Sequence, residues 1–94
     1  MSFRIVYSKA ARRDARKIAK AGLKKRVMEL IDILGEDPFR SPPRYEKLVG
    51  DLTGAFSRRI NIQHRLVYQV IEGEGVVKIL RMWTHYGWGP RGSK

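Results

Sequence analysis

The chain has 94 residues, of which 20 are Lys or Arg and nine are Asp or Glu, so its formal net charge is +11. A chain of this length forms one domain with one core and buries about 60 to 65% of its unfolded surface. The excess of positive charge indicates a phosphate-rich partner or an acidic protein partner, and composition alone does not separate the two.

The sequence lacks cysteine, a membrane-spanning segment and a signal peptide, and each absence excludes a kind of protein. It contains no cysteine, which excludes a disulfide framework and a thiolate metal site. No apolar run approaches the roughly 20 residues that a membrane-spanning helix needs. The N-terminal residues alternate like a strand and lack the apolar core of a signal peptide, so a cytoplasmic location is the default expectation.

The N-terminal third predicts a strand followed by a helical hairpin. Residues 3–7 contain aromatic and β-branched side chains, which favour a strand. Ser8 offers a hydroxyl to cap a helix over residues 9–21. Gly22 suits the end of that helix. The second helix, residues 23–35, has the clearer apolar stripe, formed by Leu23, Val27, Leu30, Ile31 and Leu34.

The helical hairpin is strongly basic. Between Lys9 and Arg26 the chain carries nine basic residues and one acid, Asp14. These cations form either an RNA-binding face or an ordinary solvated helix surface, since Lys and Arg are good exposed helix formers. Together they raise the local positive potential in both cases. The RNA-binding interpretation assigns phosphate contacts to Arg12, Arg16 and Lys20.

A proline-rich segment separates the helices from the remaining strands. Asp37 and Pro38 end the second helix, because proline lacks the N–H donor and restricts its predecessor. Residues 39–54 are predicted to form one long ordered loop that carries Glu46, and loops of this length are often functional. Apolar side chains are expected to attach it to the core, namely Leu48, Val49 and Leu52.

The segment from Phe56 to Tyr68 combines cations with a core strand. Alternation places Arg58 on one face of the first strand and Arg59 on the other. Only residues 61–63 remain to turn the chain, so the second strand returns antiparallel and brings Arg65 to the same end of the sheet as Arg59.

The C-terminal part predicts one more antiparallel strand. Residues 72–75 supply a turn and residues 76–83 the last strand, which returns His85 and Tyr86 to the end of the sheet where Arg65 begins. His64 points away from Arg65 and is interpreted as structural, and Trp83 fits either the core or the surface. Neither histidine has a second ligand at zinc-binding spacing, so no metal or other cofactor is expected.

The predicted elements thus bring together side chains from three parts of the chain: Glu46 from the loop, Arg59 and Arg65 from the paired strands, and His85 and Tyr86 from the end of the last strand. These side chains include a carboxylate, a histidine and fixed guanidinium groups. Such groups can cleave RNA without a metal, because a base takes the 2′-OH proton, an acid protonates the leaving 5′-oxygen and arginine neutralises the phosphate. Taken singly, each residue also has an ordinary interpretation. A loop glutamate is usually a solvated charge, and a strand arginine usually forms an ion pair, here with Glu72 or Glu74.

Several motifs resemble the YoeB/Txe branch of the RelE-like toxins of bacterial toxin–antitoxin systems. They are SRRI at Ser57–Ile60, HRLVY at His64–Tyr68, the preceding Asp37–Phe39, and the pair His85 and Tyr86. The resemblance implies an α+β fold with two N-terminal helices packed on a twisted, mostly antiparallel sheet of four to five strands. It also implies a ribosome-dependent endoribonuclease that cuts mRNA in the A site and is held inactive by an acidic antitoxin.

The resemblance also implies roles for individual residues. Glu46 resembles the general base, Arg65 the phosphate-stabilising residue, His85 the general acid and Tyr86 an orienting or stacking residue. Arg59 is similar to a family arginine near the scissile phosphate. With the cations named above, the RNA-binding residues expected are Arg59, Arg58, Lys47, Lys20, Arg16 and Arg12.

The sequence departs from the family pattern at a few positions. Gln63 stands where the family usually has an acid, and Val49 where it often has a basic residue. The domain is expected to span residues 1–86, with 87–94 as a short extension outside the fold. The alternative function is a basic module of the same fold that binds an antitoxin or RNA without cutting. Whether the chain forms a homodimer is left open.

Overall fold

In a computed structural model that describes residues 2–83, two helices pack on one face of a five-stranded sheet. The strand order is β1-β5-β4-β3-β2; β1 runs parallel to β5, and every other neighbouring pair is antiparallel. This architecture confirms the predicted fold class. The elements are β1 Arg4–Tyr7, α1 Lys9–Lys20, α2 Lys24–Glu36, β2 Tyr45–Lys47, β3 Ala55–Arg59, β4 Arg65–Ile71 and β5 Val76–Arg81.

The predicted helix ends are confirmed by their local geometry. The Ser8 hydroxyl accepts a hydrogen bond from the Ala11 N–H at 2.9 Å, which satisfies one of the free donors of the first turn of α1. Gly22 has φ +75°, a left-handed conformation that glycine adopts without steric cost. At the end of α2, Asp37 is extended, and its carboxylate accepts from the Phe39 N–H at 3.0 Å.

The core lies between the helices and the sheet. The predicted apolar stripe of α2 is confirmed, since Val27, Leu30, Ile31 and Leu34 are buried. They belong to one cluster with residues from α1 and from the facing side of the sheet, including Ile18, Leu66, Tyr68, Val77 and Ile79. A smaller cluster of Leu48, Ala55 and Val67 lies on the other face, which no helix of the described residues covers.

The prediction of one long loop over residues 39–54 is wrong in part, because a short strand interrupts it. Strand β2 pairs with β3, and the Leu48 N–H continues the pairing by donating to the Ala55 carbonyl at 2.9 Å. Glu46 therefore lies on an edge strand. Leu48 is buried as expected, whereas Val49 is 64% exposed and Leu52 36% exposed, so neither attaches the segment to the core. Backbone pairing does this instead.

The β3–β4 hairpin follows the sequence prediction closely. Arg59 and Arg65 are directly opposite each other across the strand pair. The turn is held by Asn61, whose side-chain oxygen accepts from the N–H groups of Gln63 and His64 at 2.9 and 2.8 Å. Strand β5 ends at Arg81, two residues earlier than predicted. Within residues 2–83 no helix has the length and apolar character needed to cross a membrane.

Candidate active site

The centre of the candidate site is the Arg65 guanidinium on the helix-free face of the sheet. Glu46 is opposite Ser57, and Arg59 is opposite Arg65, so all four side chains project to one face. The Nη1 atom of Arg65 lies 3.4 Å from Oε1 of Glu46 and donates to Oγ of Ser57 at 3.3 Å. The three side chains come from three neighbouring strands: Glu46 from β2, Ser57 from β3 and Arg65 from β4.

These residues line an open cavity of about 320 Å³. Its lining residues are Arg26, Pro43, Arg44, Glu46, Ser57, Arg59 and Arg65, which include four arginines and one carboxylate. The Glu46 and Arg65 side chains are 46% and 34% exposed, which leaves both accessible to a ligand. Guanidinium groups bind phosphate through planar, paired N–H donors, so the cavity suits a phosphodiester.

Three of these lining residues were missed by sequence reasoning. Ser57 is fully buried, and alternation places it on the same face as Arg59, although a serine in a strand does not by itself indicate a functional site. In the sequence Arg26 is one of the basic residues of the helical hairpin, and nothing near it predicts that it lines the cavity. Arg44 directly precedes β2, and a strand there would have predicted its position beside Glu46.

The expectation that Arg58 contacts RNA is contradicted by its burial, which leaves 0% of the residue exposed. Its Nε donates to the Tyr68 hydroxyl at 3.2 Å, and its two terminal nitrogens donate to the carbonyls of Pro38 and Pro43. The guanidinium also lies 5.1 Å from the centre of the Tyr45 ring. Arg58 therefore holds the proline-rich segment against the sheet. Its guanidinium donors bind groups within the protein.

Tyr68 completes this buried network. Burial raises the pKa of its hydroxyl, although the charge of Arg58 and its hydrogen bond act in the opposite direction. The hydroxyl accordingly keeps its proton and donates to the Pro38 carbonyl at 2.9 Å. The network fixes the chain just before the strand that carries Glu46.

The other predicted RNA contacts lie away from the cavity. Lys47 is exposed but opposite Phe56, so it projects to the face opposite that of Glu46. Arg12, Arg16 and Lys20 are exposed on α1, whose buried side packs in the helix-side core. None of these four residues lines the Glu46 cavity.

His85 and Tyr86 lie outside the described residues, but the path of β5 toward them is defined. Strand β5 is antiparallel to β4, and Arg81 is opposite Val67. Beyond the strand, the Trp83 ring stacks on His64 with ring centres 3.9 Å apart. The predicted return of the chain toward the start of β4 is thus confirmed as far as Trp83.

His64 has a structural environment. It is buried, and its ring lies nearly parallel to that of Trp83, at 21°. Its carbonyl accepts from the Ile60 N–H at 2.9 Å and closes the hairpin. Within residues 2–83 no group of three or more histidine, cysteine or carboxylate side chains could hold a metal ion.

Asp14 is the one acid of a basic helix, and the sequence around it does not predict its structural role. It is buried, and its carboxylate accepts from Arg81 at 2.8 and 3.2 Å and from the N–H groups of Met82 and Trp83 at 3.0 and 3.1 Å. Burial alone would raise the pKa of Asp14, but these hydrogen bonds and the Arg81 charge together lower it. Asp14 is therefore an ionised anchor for the end of β5.

Known structures place this fold among the bacterial toxins of toxin–antitoxin systems. The YoeB/ParE toxin from Agrobacterium tumefaciens superposes with a TM-score of 0.80 at 27% identity, over 89% of this chain and 100% of that one. The YoeB–YefM complex from Staphylococcus aureus gives 0.75 at 31% identity, over 92% and 100%. YoeB of that species has also been solved as a dimer.

Sequence comparison narrows the class to a family. A family model described as the YoeB-like toxin of bacterial type II toxin–antitoxin systems matches residues 7–86. The toxin YoeB of Mycobacterium bovis is 40% identical over 62 residues, which are 66% of this chain and 71% of that protein. The chain belongs to the YoeB-like toxin family.

Proposed function

We propose that the chain is a ribosome-dependent endoribonuclease that cuts mRNA in the A site and so inhibits translation. The observation that supports this most directly is the Arg65 guanidinium, 3.4 Å from the Glu46 carboxylate inside an open cavity lined by four arginines. The arrangement provides a base beside a phosphate-binding group. Family membership agrees with it.

In the proposed reaction the carboxylate of Glu46 removes the proton from a ribose 2′-OH. The 2′-oxygen attacks the adjacent phosphorus, the bond from phosphorus to the 5′-oxygen breaks, and His85 gives a proton to the departing oxygen. The products are a 2′,3′-cyclic phosphate and a 5′-OH. Tyr86 is assigned the orienting or stacking role that the family resemblance implies.

The arginines stabilise the charge that develops on the non-bridging phosphate oxygens. Arg65 is held by Glu46 and Ser57, so its guanidinium is oriented before substrate binds. Arg59, directly opposite Arg65, adds a second cation at the same end of the sheet. Arg26 and Arg44 extend the positive surface and suit the flanking phosphates.

The proposed partners are ribosome-bound mRNA and an acidic cognate antitoxin, in the cytoplasm. A toxin with net charge +11 attracts both electrostatically. The S. aureus relatives were solved with an antitoxin and as a dimer, which supports an antitoxin partner here and makes self-association worth measuring.

The test is to map mRNA 5′ ends in a translating extract with and without the protein. New 5′-OH ends within translated codons are expected. Inhibition of translation with no new ends would instead favour a basic module that binds without cutting.

A further inference from the structure

Two stacked rings lie at the end of the sheet where β4 begins. The rings of His64 and Trp83 have their centres 3.9 Å apart and their planes at 21°. His64 is buried, and Trp83 packs against the main core cluster. In the sequence His64 directly precedes Arg65, and Trp83 lies two residues before His85. The stack therefore joins the neighbours of two residues that take part in the proposed reaction.

Side chains, rather than strand pairing, hold Trp83 in this place. Strand β5 ends with Arg81 opposite Val67, two residues before Trp83. Beyond the strand, the Trp83 N–H donates to the Asp14 carboxylate at 3.1 Å. Two side chains from different elements thus hold this residue, because Asp14 of α1 binds its main chain and His64 contacts its ring.

Chain geometry extends this restraint to His85. Two residues span at most about 7 Å when fully extended, so a fixed Trp83 limits how far the main chain of His85 can lie from it. The Cα atoms of His64 and Arg65 are consecutive and therefore about 3.8 Å apart. A misplacement of about 1 Å can cost on the order of 10²-fold in rate. The position of Trp83 therefore matters to a proton transfer by His85.

We propose that His64 and Trp83 are a pair of positioning residues for RNA cleavage, whose stack holds the chain before His85 against the start of β4. This inference rests on the proposed function. Neither ring exchanges a proton with the substrate; the pair acts through His85, because the stack sets its distance from the phosphate that Arg65 binds. An ordinary packing contact would instead stabilise the fold and leave the rate of the bound enzyme unchanged.

The experiment compares Trp83→Phe, which keeps a flat ring for His64, with Trp83→Leu, which keeps an apolar side chain without a ring. Single-turnover cleavage of ribosome-bound mRNA is measured over a range of toxin concentrations. This separates the rate at saturation from the half-saturating concentration. Val76→Ala is the control for lost stability, since Val76 is buried at the start of β5, the end away from Arg81.

Trp83→Leu should lower the saturating rate on the order of 10-fold and change the half-saturating concentration less than about 2-fold, because positioning acts on the chemical step. Trp83→Phe should stay within about 3-fold of the wild-type rate. Val76→Ala should keep the wild-type saturating rate although it lowers the unfolding midpoint. Circular dichroism melts verify that every variant is folded at the assay temperature.

A double variant tests whether the two rings act as one unit. His64→Leu should lower the saturating rate about as much as Trp83→Leu, and the combined variant should lose little more than either one, since residues in contact are not additive. The His64 carbonyl still accepts from the Ile60 N–H in these variants, because the main chain is unchanged. Losses that multiply in the combined variant would contradict the pairing.

The placement of His85 is also measured without the ribosome. The NMR order parameter of its backbone amide reports how firmly the chain is held at that residue. It should fall in Trp83→Leu and in His64→Leu, toward the flexible range below about 0.6, and keep the wild-type value in Trp83→Phe.

Three results would overturn the inference: a change in Trp83→Leu that is confined to the half-saturating concentration, equal losses of rate in Trp83→Phe and Trp83→Leu, or a His85 order parameter that is the same in all variants. Absence of cleavage by the wild type would reject the proposed function. The order parameters would then still support or overturn the placement of His85 by the stack, so the two failures are distinguishable.

Discussion

The carboxylate of Asp14 and the guanidinium of Arg81 join α1 to the end of β5 across 67 positions of sequence, with Nε and Oδ2 2.8 Å apart. The same carboxylate accepts from the N–H groups of Met82 and Trp83. One side chain thus fixes the backbone two residues before His85. This contact predicts both a stability effect and a pH effect.

We expect Asp14→Ala to lower the free energy of unfolding by about 3 kcal/mol, since two main-chain N–H groups lose their acceptor at roughly 1–3 kcal/mol each. Urea denaturation at neutral pH measures this. Asp32→Ala, an exposed acid on α2, is the control and should change stability little. If Asp14→Ala left the free energy of unfolding unchanged, the anchoring role would be contradicted.

The pH dependence follows from the lowered pKa of Asp14. A carboxyl with a lower pKa in the folded state stabilises the protein above its unfolded pKa of about 3.9, and this stability is lost as pH falls through the folded pKa. We expect the wild type to lose more stability than Asp14→Asn between neutral pH and about pH 3. If urea denaturation showed the same loss of unfolding free energy in both proteins over this pH range, the lowered pKa of Asp14 would be contradicted.

Arg58 should affect folding rather than RNA binding. Arg58→Met removes the guanidinium donor of the Pro43 carbonyl and leaves the Pro38 carbonyl with the Tyr68 hydroxyl alone, so we expect a loss of about 2–3 kcal/mol in unfolding free energy. The matched change Arg59→Met, at an exposed neighbour, should cost less than about 1 kcal/mol but weaken RNA cleavage. Similar unfolding midpoints for both variants would refute the distinction.

The sequence predicted the elements that local rules determine. Helix caps at Ser8 and Gly22 and the three-residue turn after Ile60 depend on nearby residues alone. The short turn and the antiparallel return of the chain likewise predicted that Arg59 and Arg65 lie at the same end of the sheet.

The features that sequence reasoning missed depend on distant pairing. The three-residue strand around Glu46 has little strand propensity of its own and exists because it pairs with β3. Alternation correctly put Arg58 on the face opposite Arg59, but its burial depends on carbonyls brought by the proline-rich segment. Asp14 finds Arg81 only after the sheet has formed.

Ser57→Ala tests whether the orientation of Arg65 matters. The variant removes the hydroxyl that accepts from Arg65 at 3.3 Å. We expect about a 10-fold lower single-turnover cleavage rate, since a hydrogen bond to a charged group contributes about 1.5 kcal/mol or more. Ribosome affinity should not change. A lower affinity with an unchanged rate would indicate that Ser57 supports binding instead.

The α1 cations can be tested for ribosome binding in a similar way. Replacing Arg12, Arg16 and Lys20 with glutamine should weaken ribosome association and reduce its salt dependence, because fewer phosphate contacts form. A second triple variant, Arg13, Lys17 and Lys25 to glutamine, carries the same charge change at other exposed positions. Equal affinities for the two variants would mean that only net charge matters.

Single-turnover cleavage of ribosome-bound mRNA, with chemical identification of the new ends, tests the proposed acid–base mechanism directly. Glu46→Gln and His85→Ala should each reduce the rate on the order of 10² or more, with Glu46 the less severe because the ribosome itself positions the mRNA. Glu72→Gln, an exposed glutamate before β5, should retain the wild-type rate. The wild type should leave 2′,3′-cyclic phosphate and 5′-OH ends. Ends carrying a 5′-phosphate, or wild-type rates in both Glu46→Gln and His85→Ala, would contradict this mechanism.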